Sequence, residues 1–266
     1  MNTPFMSMCI SGNKEYDVRT LEKVNLDVKE NYKGNYSVVV DEQEFNNFLQ
    51  WLPPLEKEEC HYVALLARDK YIRDLNIGTF NSDKHQCARF TTTHERLLLK
   101  LKQCETEIGN YAVKGVEVPQ QALAAYMTIN PRSQTKAAKW LLKRLADVVA
   151  DGEQNVNVYQ ESLTAIHKSI GRKLFVDVDF DNVGIYTTVA RMKDFINPDA
   201  VKILETRGGF HVIIRLDAIE EKCVKSWYKN ITSLPGADIA GDTLIPIPGT
   251  YQGGFVPRLF DMAKFI

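Results

Sequence analysis

The stretch Lys173-Leu-Phe-Val-Asp-Val-Asp-Phe-Asp181 contains the strongest structural signal in the chain. Its β-branched and aromatic residues predict a buried strand over residues 174–180. Alternate side chains of a strand share a face, so Asp177 and Asp179 point the same way, with Cα atoms about 6–7 Å apart. Two buried carboxylates repel each other unless a cation or a hydrogen-bond donor neutralises them. The pair therefore predicts a site for Mg²⁺ or Mn²⁺, which prefer oxygen ligands. A solvated strand end at the Asp181-Asn182 turn is the alternative.

The stretch that follows, residues 205–215, predicts a hairpin with further polar side chains. Strands over 201–206 and 210–216 are expected to pair through Gly208-Gly209. On the second strand, Gly209 and His211 would share a face, and Arg207 would join them if the extended backbone begins that early. A glycine lets a phosphate approach the backbone, and Arg207 and His211 can donate to its oxygens. A plain hairpin with a half-buried histidine remains open.

Two irregular segments carry further basic side chains. Residues 242–258 contain three prolines and three glycines, end on Arg258, and suit a loop that lines a site. Asn130-Pro-Arg132-Ser133 lies at a predicted strand-to-helix junction, where helix N-termini favour phosphate. Either segment is equally compatible with an ordinary structured turn or a capped helix start.

The rest of the chain predicts an α+β fold with mixed or antiparallel sheets. We expect a strand over 37–40, a helix after Asp41, and a helix over 218–231. A helix capped by Ser133 would bury one apolar face, formed by Ala138, Leu141, Leu142, Leu145 and Val149. The order of elements suggests an N-terminal α/β module over residues 1–119 and a second module over 120–266, both in one compact unit.

Composition limits the classes of protein. The chain has 266 residues, a net charge of −1 and no apolar run long enough for a membrane span, and its N-terminus lacks the pattern of a signal peptide. These features predict an intracellular, cytoplasmic protein with no membrane partner. Five cysteines, an odd number, favour reduced thiols. Cys60, His61, His85 and Cys87 are ligand types for zinc, but adjacent side chains of a strand point apart, so a structural zinc site is not expected.

Taken in order, these motifs resemble the archaeo-eukaryotic primase superfamily, especially the primase-polymerase branch of viruses and mobile elements. Asp177 and Asp179 match its acidic pair, and Gly209-Phe-His211 matches its motif of a small residue, any residue and histidine. Serine is usual where Gly209 stands. The resemblance covers roughly residues 120–260. It places a third acid before the Pro-Gly-Thr loop, where Asp242 is the nearest candidate, with Asp238 behind it.

The resemblance implies two α/β modules, the second similar to an RNA-recognition sheet, with the active site between them. It also implies template-directed nucleotidyl transfer in DNA replication by a two-metal mechanism. Nucleoside triphosphates, a single-stranded nucleic-acid template and Mg²⁺ or Mn²⁺ would be its ligands, and a replicative helicase would act in trans. The implied catalytic residues are Asp177, Asp179 and His211, the third metal ligand is Asp242, and the nucleotide-binding residues are Arg207, Gly209, His211, Arg258 and Arg132.

Two other functions remain open from the residues alone. The missing acid, Gly209 and the neutral net charge favour a primase-fold protein that binds nucleic acid or nucleotide without polymerising. A metal-dependent replication initiator or nuclease would use the acidic pair to cleave a strand. The chain lacks a paired-histidine metal motif, which makes the last function the least favoured.

Overall fold

The computed structural model describes residues 34–73, 80, 84–152, 155–239 and 244–266. Within these ranges the strands are β1 (Glu59–Arg68), β2 (Lys84–Thr92), β3 (Ala112–Val113), β4 (Val116–Glu117), β5 (Leu123–Thr128), β6 (Arg132–Ser133), β7 (Phe175–Asp181), β8 (Val201–Glu205), β9 (Gly209–Arg215), β10 (Ala237–Asp238), β11 (Leu244–Pro246) and β12 (Arg258–Asp261). The helices are α1 (Glu42–Trp51), α2 (His94–Lys102), α3 (Gln134–Asp151), α4 (Val158–Lys168), α5 (Ile185–Met192) and α6 (Trp227–Thr232). All paired strands are antiparallel, so the α+β class with antiparallel sheets is confirmed.

The first sheet has the strand order β11-β5-β1-β2, with β6 paired to the start of β1. Its central strand β1 is buried along its whole length because both faces are covered. Val63, Leu65 and Ala67 enter the largest apolar core. The alternate residues Tyr62, Ala64 and Leu66 pack on the opposite side, near α4. The sheet takes strands from both sides of residue 120, and Lys33–Ile266 forms one compact unit.

The second sheet has the order β10-β7-β9-β8-β12 and separates two environments. One face buries Val178, Phe180 and Val212 in a second core, which also contains residues of α5 and α6. The other face carries Asp177, Asp179 and their cross-strand neighbours. The hairpin of β8 and β9 is present as expected, with Leu204 opposite His211. The apolar face anchors the strand, so the polar face is held in a fixed register.

Two helix starts follow the sequence. The side chain of Asp41 accepts a hydrogen bond from the backbone N–H of Glu44, and Ser133 accepts one from Lys136. The expected apolar face of α3 is wrong, however. Leu142 and Val149 are 70% and 81% exposed, because the helix packs mainly through another side that includes Ala137 and Val148.

Two other local expectations are also wrong. Residues 37–40 do not form a strand; Val39 makes only an isolated bridge to Thr250. The helix expected over 218–231 is confined to α6. The side-chain amide of Asn197 donates to Ala218 O and its oxygen accepts from Glu220 N, which holds this segment in a non-helical turn.

No helix in the described ranges is long and apolar enough to cross a bilayer. The four cysteines within those ranges, Cys60, Cys87, Cys104 and Cys223, are free thiols. Burial raises the pKa of Cys60 to about 11 and keeps its thiol protonated.

A pair of histidines, the buried His61 and the half-buried His94, lies beside the first sheet. His61 Nδ1 donates to the backbone oxygen of Thr128 at 2.8 Å, so its Nε2 accepts from His94 Nε2 at 2.9 Å. The two rings stack with centroids 5.0 Å apart. Burial, reinforced by His94, lowers the pKa of His61 to about 4. The neutral imidazole is therefore the form that the fold accommodates.

This pair makes the free energy of unfolding depend on pH. The unfolded chain takes up a proton at His61 near pH 6.5, whereas the folded chain does so only near pH 4. His61 should therefore contribute its full stability above pH 6.5 and lose about 3 kcal/mol as the pH falls to 4. Urea denaturation of wild type and His61→Asn from pH 7 to 4.5 checks this, since Asn keeps the donor to Thr128. Equal slopes of stability against pH in the two proteins would contradict it.

Candidate active site

The acidic face is the set of Asp177, Asp179, Asp181 and Asp238 on the second sheet. The first three alternate along β7 and therefore share one face. Asp238 on β10 lies directly opposite Asp179, and His211 on β9 lies opposite Asp179 on its other side. Three adjacent strands thus present a histidine and acidic groups on both sides of Asp179.

His211 connects the two carboxylates of the predicted pair. Its Nδ1 donates to the two oxygens of Asp177 at 3.0 and 3.1 Å. Its Nε2 lies 3.7 Å from Asp179 Oδ1. Asp177 is buried behind the imidazole, with a side-chain exposure of 5%, whereas the side chain of Asp179 is 35% exposed. His211 therefore supplies the neutralising group that a buried acidic pair requires.

The proton affinities of these groups are coupled. Burial alone would lower the pKa of His211, but the charge and hydrogen bond of Asp177, helped by Asp179 and Asp181, raise it above its ordinary value. Burial raises the pKa of Asp179, and Asp181 and Asp177 raise it further against the opposing effect of His211. The acidic face thus carries more negative charge than its one imidazolium neutralises, so it attracts a further cation.

Asp238 is the acid that β10 adds to this face. Its side chain lines the same cavity as Asp179, Asp181 and His211. Asp242, the nearest candidate in the sequence, lies outside the described residues. Asp238 lies with Ala237 in a short β segment. That segment becomes recognisable as a strand only once it pairs with β7.

The basic wall is the set of Arg68, Tyr71, Tyr126, Arg207 and Gln252. Arg68 Nη1 donates to the Tyr126 hydroxyl at 2.6 Å, and its guanidinium lies 5.5 Å from the ring centroid of Tyr71. The two tyrosine hydroxyls are 3.1 Å apart, and Gln252 Nε2 donates to that of Tyr71 at 3.0 Å. These contacts fix the direction of the Arg68 guanidinium. Of these five residues, Arg207 was named as a ligand-binding residue from the sequence, and Gln252 lies in the 242–258 loop expected to line a site.

Arg207 completes the wall from the second sheet. Its backbone N–H donates to Gln252 Oε1 at 2.9 Å, and its guanidinium lies over the Tyr71 ring at 4.6 Å from the centroid. Gly253 makes this stacking possible. It has φ +58°, and a Cβ there would lie 2.6 Å from the Tyr71 ring and 2.8 Å from Arg207 Nη1.

The acidic face and the basic wall meet in one cleft of about 290 Å³. Arg68, Tyr71 and Tyr126 line one side, and Asp179, His211 and Asp238 line the other. A ligand that carries both phosphate oxygens and bound divalent cations would match this division of charge.

Gly209 stands at the start of β9, where the chain departs from the serine of the motif. A Cβ at this position would lie 2.3 Å from the backbone oxygen of Phe180 and 2.9 Å from Asp181 Oδ1. The close pairing of β7 with β9 therefore excludes every side chain here. Gly209 supports the register of the acidic face and offers no hydroxyl to a ligand.

The other two arginines singled out in the sequence are not brought to the cleft. Arg258, on the edge strand β12, pairs with Glu205 of β8. Leu204, the neighbour of Glu205, shares the face of His211, so Arg258 points to the opposite face. Arg132 is only 1% exposed and pairs with Cys60, eight residues along β1 from Arg68. Neither side chain contributes to the basic wall.

The candidate zinc ligands are also apart. His61 and Cys60 lie near one end of β1, whereas His85 pairs with Ala67 near the other end. His85 Nε2 contacts the backbone oxygen of Phe80, and Cys60 Sγ contacts that of Arg132. The structure places these side chains in separate contacts.

The donor chemistry of the acidic face suits Mg²⁺ or Mn²⁺. Asp179, Asp181 and Asp238 all present hard oxygen ligands to one cavity. Among the described residues, no three His, Cys, Asp or Glu side chains already surround a single point. At Asp177, both carboxylate oxygens accept hydrogen bonds from His211. An entering cation would compete with the imidazolium for these oxygens. The carboxylate oxygens are the donor type that these cations prefer. A cation that binds Asp177 must displace its contact with His211.

Comparison of the chain with protein-family models, curated proteins and solved structures finds no match. The interpretation of the cleft therefore rests on its own residues and their geometry.

Proposed function

We propose that the chain is a template-directed nucleotidyltransferase of the primase-polymerase kind. The observation that carries the proposal is the cleft in which Asp179, Asp181 and Asp238 face Arg68 and Lys70, with Arg207 stacked on Tyr71 beside them. Triphosphates bound to divalent cations need both kinds of group within a few ångströms. The motif order of the sequence and the position of His211 beside the acidic pair support the same chemistry.

The arrangement of the two sheets supports the assignment to the primase superfamily. An antiparallel sheet with the acidic pair on β7, the histidine on β9 and a third acid on β10 is what the resemblance to an RNA-recognition-like module leads one to expect. The first sheet would be the other module, with the site between them. The substrates would be nucleoside triphosphates on a single-stranded template inside the cell, with a replicative helicase acting in trans.

In this mechanism Asp177, Asp179 and Asp238 would hold Mg²⁺ or Mn²⁺. A bound pair of such ions activates an attacking 3′-hydroxyl and stabilises a leaving pyrophosphate. Arg68 and Arg207 would bind the triphosphate oxygens and orient the α-phosphate for in-line attack. Positioning and charge stabilisation would supply most of the rate enhancement.

His211 has a separate task in the proposed mechanism. The neighbouring carboxylates raise its pKa above the ordinary value and so favour the cationic imidazolium. If Asp177 were to hold a metal ion, the Nδ1–H of His211 that now donates to it would be available to donate to a phosphate oxygen.

A priming and extension assay on single-stranded templates tests the proposal, with ribo- and deoxynucleotides and with Mg²⁺ or Mn²⁺. Incorporation is the expected result. If the wild type incorporates nothing on any template, the enzymatic proposal fails. Nicking of a supercoiled plasmid in the same buffers would instead favour a nuclease.

The competing function is nucleotide or nucleic-acid binding without polymerisation. The observation that favours it is the closed contact of His211 with Asp177, which holds the acidic pair without a metal ion. Calorimetry separates the two functions. A binder should take up single strands or nucleotide with little dependence on Mg²⁺ or on Asp179, whereas an enzyme should need both.

Arg207 offers a selective test of the basic wall. Arg207→Ala should raise the KM for nucleoside triphosphate about 10- to 100-fold, because it removes a charged donor to phosphate. Arg258→Ala is the matched control, since Arg258 is also exposed but lies outside the cleft, and its KM should change less than about twofold. Steady-state extension kinetics measure both. Equal effects of the two changes would contradict the placement of the triphosphate on the basic wall.

A further inference from the structure

A second cavity, of about 210 Å³, lies along the edge of β7 on the side of Asp177 away from β9. Its walls are mainly apolar and include Ile129, Ile170 and Ile239. Tyr228, which is 47% exposed, and Lys173 also line it. The backbone of Phe175, Val176 and Asp177 forms one side. Asp177 lines this cavity, whereas Asp179 lines the cleft described above.

The register of β7 shows which backbone groups point into this cavity. Leu216 N donates to Leu174 O. Every second residue of β7 counted from Leu174 therefore forms its backbone hydrogen bonds with β9. The intervening residues, Phe175, Asp177 and Asp179, turn their N–H and C=O groups to the opposite edge.

Two of these three positions have partners at that edge. The side-chain amide of Asn130 accepts from Phe175 N at 2.8 Å and donates to Phe175 O at 3.0 Å. Asp179 pairs with Asp238 of β10. Asp177 lies between them, and its N–H and C=O face the cavity. A buried backbone donor and acceptor in an apolar cavity favour a ligand that bonds to both.

The length of this edge limits the shape of the ligand. Within the described residues, the edge between Asn130 and β10 offers a single residue, Asp177, which is too little for an added β-strand. The contact of Asn130 with Phe175 shows what fits: a planar group with an acceptor beside a donor. Nucleobases carry that pair of atoms on their ring edges, and their faces pack on apolar and aromatic side chains.

We propose that this cavity binds a nucleobase, held edge-on by the peptide groups of Asp177, with Lys173 near its phosphate. The choice of a nucleobase among planar ligands rests on the proposed function, because the same Asp177 belongs to the acidic face. The base belongs either to a free nucleotide or to the end of a strand, and it is distinct from the triphosphate on the basic wall.

The first test measures binding of AMP and of N6,N6-dimethyl-AMP by calorimetry in EDTA. Methylation removes the donor of the ring edge and leaves the phosphate and stacking faces. Binding of AMP with affinity reduced about tenfold or more by methylation is expected. No binding of AMP, or equal binding of the two, overturns the proposal. A short oligoadenylate is the second arm: tighter binding than AMP assigns the cavity to a strand end, and weaker binding assigns it to a free nucleotide.

The second test places the ligand within the fold. Ile170→Trp fills the cavity from a position that is 39% exposed, and Val149→Trp adds the same side chain at a position that is 81% exposed and remote from it. Only Ile170→Trp should weaken AMP binding, by about tenfold or more. Equal affinity of the two variants overturns the proposal.

Asp179→Asn separates this proposal from the proposed function. It leaves the cavity and the backbone of Asp177 intact, so AMP binding in EDTA should match that of the wild type. Loss of AMP binding in this variant would place the base in the cleft and overturn the second cavity. An inactive wild type that still binds AMP would refute polymerisation alone.

Discussion

Asp179→Asn is expected to reduce nucleotide incorporation about 10²- to 10³-fold while making the metal-free protein more resistant to heat. The loss of activity follows because Asp179 is the carboxylate of the pair that the cleft exposes. The gain in stability follows because burial and its acidic neighbours raise the pKa of Asp179, so its charge opposes folding at neutral pH. Asparagine keeps the shape and removes that charge.

Extension assays and thermal denaturation in EDTA measure the two effects. Asp217→Asn is the matched control, since Asp217 is exposed and forms an ion pair with Arg215 at 2.6 Å away from the cleft. The control should retain activity and gain no stability. A destabilised Asp179→Asn protein would show that the carboxylate serves the fold, and unchanged incorporation would remove Asp179 from the mechanism.

Gly209→Ser is expected to destabilise the protein by about 1–3 kcal/mol or more, although it restores the residue that the motif usually has. The added Cβ would lie 2.3 Å from Phe180 O, a backbone atom that cannot move away as the end of a side chain could. Relief requires β7 and β9 to separate next to Asp181, which shifts His211 as well. Incorporation should therefore fall with stability.

Gly208→Ser is the control for this change. The nearest atom to a Cβ at Gly208 is Asp181 Oδ1, at 3.9 Å. Its midpoint of urea denaturation should stay close to that of the wild type, and that of Gly209→Ser should fall. A Gly209→Ser protein that is as stable as the wild type and more active would show that the sheet accommodates serine and uses its hydroxyl.

The sequence predicted the second sheet well because its signals are local. Alternation identifies β7, and the Gly-Gly turn identifies the hairpin of β8 and β9, so the proximity of His211 to the acidic pair follows from adjacent strands. Asp238 was assigned only as a reserve candidate, because a two-residue strand has no periodicity to read. Its position depends on pairing with β7, which is about 60 residues earlier in the chain.

The basic wall illustrates the limit of sequence reasoning. The wall takes its side chains from distant segments of the chain, among them Arg68, Tyr126 and Gln252. Only the first sheet and the loop that contains Gln252 bring them together. Arg132 and Arg258 carry the same guanidinium group. Arg132 is buried away from the cleft, however, and Arg258 lies on the opposite face of the second sheet. In α3, an apolar stripe at helical spacing did not identify the buried side, because the packing of α4 and the sheet decides which side is covered.

Asn130 links the end of the first sheet to the first residues of the acidic strand. Its amide bonds to Leu174 N, Phe175 N and Phe175 O at 2.8 to 3.0 Å. Opening the second sheet at this end would expose three bonds to a buried amide in addition to the apolar core. The acidic strand therefore shares the cooperative unfolding unit of the first sheet, and its carboxylates should become disordered only when both sheets unfold together.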